Sequence, residues 1–219
     1  MLIVAGKPEY AFCKTVINGL KELSGPYSVS YAAADVKTES GTEIRVKGFS
    51  LRVGWTILNT LATSKKKIEI LESTESSEDS ALLSKTNTDL PNICRIKLNL
   101  SPIELLVWAD EAKRTTKWEI TPPYIVLGHE LSHAFRWVLG KFEAESRSFV
   151  RTMAPYLGEI TLPSGKKETI KDNLNDQDTV AMALENSLRK EAKERGADIG
   201  CRAAYFFGRN PKTKREFKI

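Results

Sequence analysis

Apolar and polar positions along the chain fall into short alternating runs and longer helical repeats. "MLIVAG" is an apolar run that stops at a Gly-Lys-Pro turn, the pattern of a buried strand. "YAFCKTVINGLKELSG" places apolar residues at helical spacing and closes on Gly25, a C-cap residue. "YSVSYAAADV" and "TEIRVKG" alternate as strands do, "WTILNTLATS" predicts a helix of about ten residues, and "KKKIEILES" returns to alternation. "STESSEDSALLSKTNTDLP" is rich in Ser, Thr and Asp and predicts a long loop or mobile insert. After it, "NICRIKLNLS" reads as a strand and "ELLVWADEA" as a short helix.

Two helices stand out. "TPPYIVLGHELSHAFRWVLG" has Thr121 placed to cap, prolines in the first turn and Gly140 at the far end. "DTVAMALENSLRKEAKERG" has Asp178 as cap and Gly196 as stop. Between them, residues 141–177 predict loops, with a hairpin at "EITLPSGKKETI" through its Pro-Ser-Gly turn. With no repeat and no linker, the expectation is one α+β domain over residues 1–219, ending in a basic tail at about 208–219.

Bulk properties narrow the classes. At 219 residues, 41% hydrophobic and 28% charged, the chain suits one sizeable globular domain. No run of about 18 apolar residues occurs, so no membrane span or membrane partner is expected. The opening segment is too short for a secretory h-region, so any export is expected to need a dedicated secretion machine. Cys13, Cys94 and Cys201 are odd in number and form no CxxC pair, which argues against a disulfide framework or a thiolate zinc site. A net charge of +5 favours acidic partners but falls short of a nucleic-acid signature.

The chemistry enters with histidine. The chain has only two, and both stand in "VLGHELSHAF". Residues four apart on a helix are separated by about 40° and share a face. His129 and His133 therefore point the same way with Glu130 beside them, while Leu127, Leu131, Ala134 and Val138 turn toward a core. Two imidazoles so placed reach one tetrahedral zinc ion through bonds of about 2.0–2.1 Å. Glu130 then stands close enough to accept a proton from a water activated there. This is the HExxH arrangement of zinc metallopeptidases, in the helical setting it requires, and it implies Zn2+ as cofactor.

A catalytic zinc normally has three protein ligands and an open position. The absence of a third histidine excludes every three-histidine site. A carboxylate is then needed, and Glu185 in "AMALENSLRKE" leads Glu143, Glu145 and Asp178. Against it stands the ordinary reading of Glu185 as an exposed partner of Arg189 at i+4. An oxyanion also needs a donor opposite the metal. Arg202 and Tyr205 in "GCRAAYFFG" are spaced to supply one, although a structural Arg and a half-buried Tyr fit the same residues.

"LGHELSHAF", "ALENSLRKE" and "CRAAY" together resemble the NleD-type zinc metallopeptidases, bacterial type III effectors with relatives as domains of Rhs-type toxins. "GWTILNTLATSKKKIEI" is similar to the Gly-helix-strand segment before their motif, and the resemblance runs from about residue 3 to 206. HExxH is common to many families; its combination with ENxxR and RxxY is the specific part. The resemblance implies a zincin-like α+β fold, with a small sheet packed on the active-site helix. It implies His129 and His133 as ligands, Glu130 as general base and Glu185 as third ligand, a gluzincin-like set. Arg202 and Tyr205 match an Arg-x-x-Tyr pair that clostridial neurotoxin proteases use for transition-state stabilisation. Asn186 and Arg189 fall where residues orient Glu185 or hold its helix.

The implied activity is hydrolysis of a protein substrate, and some effectors of the group cleave host MAP kinases of the JNK and p38 classes. The implied life history is synthesis in a bacterial cytoplasm and delivery into the cytosol of a host or target cell. Two other classes fit parts of the sequence. A non-catalytic zinc-stabilised binding module explains the histidines but neither Glu130 nor the Arg-Tyr pair. Nucleic-acid binding is prompted by "GRNPKTKREFKI", with five basic residues and one acidic. So short a basic terminus reads as a solvated tail, and no specific nucleic-acid partner is expected.

Overall fold

The structure is a computed structural model and describes residues 1–24, 29–33, 41–73, 84–139, 158–170, 176–205 and 207–218. These form a mixed α+β fold with two sheets. The first sheet contains β1 (Leu2–Ala5), β2 (Val29–Ala33), β3 (Gly41–Val46), β4 (Lys67–Glu72), β5 (Lys85–Leu90) and β6 (Ile93–Leu98), in the order β2-β3-β1-β4-β6-β5. β1, β4 and β6 run parallel, so Leu2, Ile68 and Cys94 align in one row and Val4, Ile70 and Ile96 in the next. All six side chains are fully buried. The period-two alternation read from the sequence is the cause: each strand turns every second residue to the same face.

Helices α1 (Ala11–Ser24), α2 (Val53–Thr63) and α3 (Pro123–Leu139) pack with those rows in one hydrophobic core. Helix α2 lies so close to α1 that a Cβ on Gly54 would sit 2.0 Å from the Leu23 carbonyl oxygen, a distance no side chain tolerates. The start of α2 lacks a side-chain cap of its own. It is closed instead from α4 (Asp176–Glu194), where Glu191 accepts from the Val53 and Gly54 N–H groups at 2.6 and 3.4 Å. A carboxylate there satisfies orphan donors and meets the positive end of the helix dipole.

The second sheet has the order β10-β9-β8-β7-β11-β12. Its strands are β7 (Ile103–Asp110), β8 (Thr115–Thr121), β9 (Gly158–Thr161), β10 (Lys167–Ile170), β11 (Phe207–Arg209) and β12 (Glu216–Lys218). A smaller core of Leu106, Trp108, Ile160, Ile170, Met182, Ala203 and Ala204 joins this sheet to α4. Helix α4 belongs to both cores: Met182 enters the smaller one, Leu188 and Ala192 the larger. It thereby ties the two sheets together beside α3.

Several expectations need correction. "ELLVWADEA" is strand β7, not a helix; Ile103 to Trp108 are buried in succession, and a continuous apolar run does not distinguish a covered strand from a helix. The end of the Ser/Thr/Asp-rich segment is strand β5, paired antiparallel with β6. Residues 74–83 and Gly25, Gly140 and 141–157 lie outside the described residues. Thr121 ends β8, and Pro122 occupies the capping position of α3, its carbonyl accepting from Ile125 and Val126. Asp178 lies inside the first turn of α4 rather than before it. The basic terminus is a hairpin on β7, where Glu104 receives bonds from Arg209 at 2.5 Å and Lys214 at 2.9 Å. The "EITLPSGKKETI" hairpin forms as read, with Gly165 at φ 82° in its turn, and Gly196 ends α4 at φ 93°. No helix among the described residues is long and apolar enough to cross a membrane.

Candidate active site

Helix α3 is held at close range on two sides. A Cβ on Gly128 would stand 2.5 Å from Leu188 Cδ1 of α4 and 3.1 Å from Leu23 Cδ2 of α1, so a side chain here would have to displace these leucine ends. The next two residues are His129 and Glu130, both buried. The Nε2 atoms of His129 and His133 are 3.2 Å apart, with the rings nearly perpendicular at 82°. Two nitrogens bound to one tetrahedral zinc at about 2.0–2.1 Å lie roughly 3.3 Å apart, so the donor pair fits the ion. Burial, and next the neighbouring His129, lower the pKa of His133 to about 3. His133 is therefore neutral near pH 7, the form in which imidazole binds metals.

Glu130 meets a residue of the edge strand. The Thr86 hydroxyl lies 2.6 Å from Glu130 Oε2 and 3.2 Å from the Glu130 carbonyl oxygen, and its single proton favours the shorter contact. Burial pushes the Glu130 carboxyl up, while His129, the Thr86 bond and Arg202 pull it back. A buried carboxylate with a raised pKa, next to a pair of converging imidazoles, suits proton transfer.

Glu185 sits on the other edge of His129. Its Oε2 is 3.0 Å from His129 Nδ1, near in distance but out of line for a hydrogen bond. Both carboxylate oxygens are already engaged: Oε1 accepts from Arg189 Nε at 2.8 Å, and Oε2 from an Arg202 terminal nitrogen at 2.8 Å. Burial alone would raise the Glu185 carboxyl, but Arg202 and Arg189 hold it well below the ordinary carboxylate range. Arg189 also donates to the Gly200 carbonyl at 3.0 Å and to Thr121 Oγ1 at 2.9 Å. The spacing reading of Glu185 and Arg189 as an exposed pair is thus replaced by a buried one, each residue 1% exposed.

Arg202 also turns inward. Its Nε donates to the Ala204 carbonyl at 3.2 Å, and its second terminal nitrogen to the Tyr205 carbonyl at 2.7 Å. Asn186 pins the same segment, accepting from the Arg202 N–H at 2.6 Å and donating to its carbonyl at 3.1 Å. Tyr205 lies beside the site, its ring 5.6 Å from that of His129, and its hydroxyl donates to Asp178 at 3.2 Å. Burial, and then Asp178, push the phenol well above its ordinary pKa, so it stays a proton donor.

The structure thus gathers His129, Glu130, His133, Glu185, Asn186, Arg189, Arg202 and Tyr205 where α3, α4 and the segment after α4 meet. The Nε2 atom of His129 faces His133, and Glu185 with the two arginines lies at the Nδ1 edge of the same ring. Among the described residues, no three His, Cys, Asp or Glu side chains come together as a metal-ligand set. Glu143 and Glu145 lie outside the described residues.

Sequence reading missed Thr86, the Tyr205 partnership of Asp178, and Thr121 as a support for Arg189. No protein-family model matches the chain, and no curated protein or solved structure matches it.

Proposed function

We propose that this chain is a zinc-dependent endopeptidase of zincin-like architecture, a bacterial effector or toxin that acts on a protein of a host or target cell. The observation that carries the reading is the convergence of the His129 and His133 Nε2 atoms, 3.2 Å apart on α3, with Glu130 between them in sequence. The surrounding fold supports it: α3 packs against α4, and the polar edge strand β5 runs antiparallel to its neighbour next to the helix.

His129 and His133 would hold the ion through Nε2. Zinc so held supplies Lewis acidity that activates water and polarises a peptide carbonyl. Glu130 takes a proton from the attacking water and returns it to the amine nitrogen as the C–N bond breaks. Thr86 fixes the carboxylate that makes this transfer. Tyr205, on turning its hydroxyl from Asp178, is the donor proposed for the developing oxyanion, and Arg202 steadies both Tyr205 and Glu185. The substrate class is protein; JNK- and p38-class MAP kinases are the first to test, on the resemblance in the three motifs.

The test compares wild type with Glu130→Ala in a mass-spectrometric screen of host lysate for new N-termini, with purified MAP kinases alongside. Cleavage by wild type, its loss in the variant and zinc in both are expected. Equal cleavage by the variant would remove Glu130 from the mechanism, and no zinc uptake by wild type would end the proposal.

A further inference from the structure

The position of Glu185 does not suit the ligand role that the resemblance implies for it. A third ligand must approach the ion on the Nε2 side of His129, where His133 Nε2 converges. Glu185 instead lies at Nδ1, on the opposite edge of the ring. Its two oxygens already accept from Arg189 and Arg202, each at 2.8 Å, and Glu185 and both arginines are no more than 3% exposed. Swinging the carboxylate round to the ion would leave two guanidinium groups buried without their anion. That costs several kcal/mol by the usual measure of a broken buried pair.

Nδ1 of His129 is itself buried and has no aligned hydrogen-bond partner. A metal-ligating histidine almost always donates its other ring N–H to an acceptor, and a carboxylate in that place fixes the tautomer and raises the basicity of the ligating nitrogen. Resting on the metal-site reading above, we infer that Glu185 is a positioning residue whose negative charge, 3.0 Å from Nδ1, keeps the proton of His129 on that nitrogen and its Nε2 open, and that it is not a metal ligand. Arg189 and Arg202 anchor it, and Thr121 and the carbonyls of Gly200, Ala204 and Tyr205 anchor them. The ENxxR and RxxY elements thus form one scaffold behind a single imidazole.

With only two histidines in the chain, the test is direct. The full protein, with 15N-labelled histidine, is examined by long-range 1H–15N correlation before and after zinc addition. Zinc-edge X-ray absorption then counts first-shell neighbours in wild type and in Glu185→Gln. The expected result is His129 protonated at Nδ1 in both states, with metal-induced shifts at Nε2 of both rings. Glu185→Gln should keep the same first shell and lose about 10–100-fold in zinc affinity.

A zinc form whose crystal structure puts a Glu185 oxygen within about 2.0–2.2 Å of the ion would overturn the inference. So would a first shell that loses a neighbour in the variant. Should Glu185→Gln fail to fold, the wild-type spectra and the zinc-form structure still decide. If no zinc binds while His129 remains protonated at Nδ1, the tautomer assignment stands and the metal reading falls. If zinc binds while the His129 proton sits on Nε2, the tautomer assignment falls and the metal reading must find another geometry.

Discussion

Thr86 and Glu130, 44 positions apart in the chain, meet at 2.6 Å where the edge strand β5 passes helix α3. The hydroxyl is a donor to a carboxylate that burial would otherwise discharge. Removing it with Thr86→Val should lower turnover by roughly 10-fold or more, the equivalent of about 1.5–3 kcal/mol for a hydrogen bond to a charged group. Thr86→Ser should recover most of the rate. Peptidase assays with a substrate from the N-terminus screen would check both, and an unchanged Thr86→Val would free Glu130 from this dependence.

The buried cluster around Glu185 should show in stability as well as in metal binding. Arg189→Met removes one guanidinium and leaves the carboxylate with Arg202 and His129. Breaking one arm of a buried ion cluster should lower the unfolding free energy by about 3–5 kcal/mol in a urea titration of the metal-free protein. A change below 1 kcal/mol would mean that the cluster relaxes without it.

Acid should loosen the C-terminal hairpin before the core. Burial raises the Glu104 carboxyl, but its bonds to Arg209 and Lys214 outweigh that and bring it below the ordinary value. A carboxyl whose folded pKa is depressed stabilises fully above its unfolded pKa of about 4.3 and loses that contribution as pH falls through the folded value. The protection of residues 207–218 against hydrogen exchange, taken relative to the intrinsic rate at each pH, should therefore fall below about pH 4.3 in wild type. In Glu104→Gln it should be low already at pH 7, with a flatter pH dependence.

A side chain at position 128 should cost stability. Gly128→Ala would push Leu188 or Leu23 aside and lower stability by about 1–3 kcal/mol, the ordinary range for overpacking a tight core. Thermal unfolding gives the first readout and zinc affinity the second, and both should fall together.

The parts of this arrangement that could be read in advance were those governed by short-range periodicity. β6 alternates cleanly, and α3 and α4 carry apolar residues at helical spacing. β5 was hidden because Lys85, Thr86, Asn87, Thr88 and Asp89 are polar on both faces, as an edge strand permits and a loop also would. β7 was misread because burial on both sides erased its alternation. At the site, His129, Glu130 and His133 were legible because their geometry is set within one helical turn. Glu185 and Arg189 were legible as a pair but not as a buried one. Burial there depends on Thr121, Gly200 and Arg202 arriving from other elements, and no local pattern announces them.

The bare Cα of Gly128 sets the spacing at which three helices stack, with the first histidine on the very next residue. A single methyl there would have to push the Leu188 or Leu23 side chain aside, one residue from His129, while every polar side chain of the site stayed in the chain. If the chain is the proposed peptidase, activity would then be lost with every polar side chain of the site intact, through a glycine that is not one of them. A variant search limited to polar residues would overlook it.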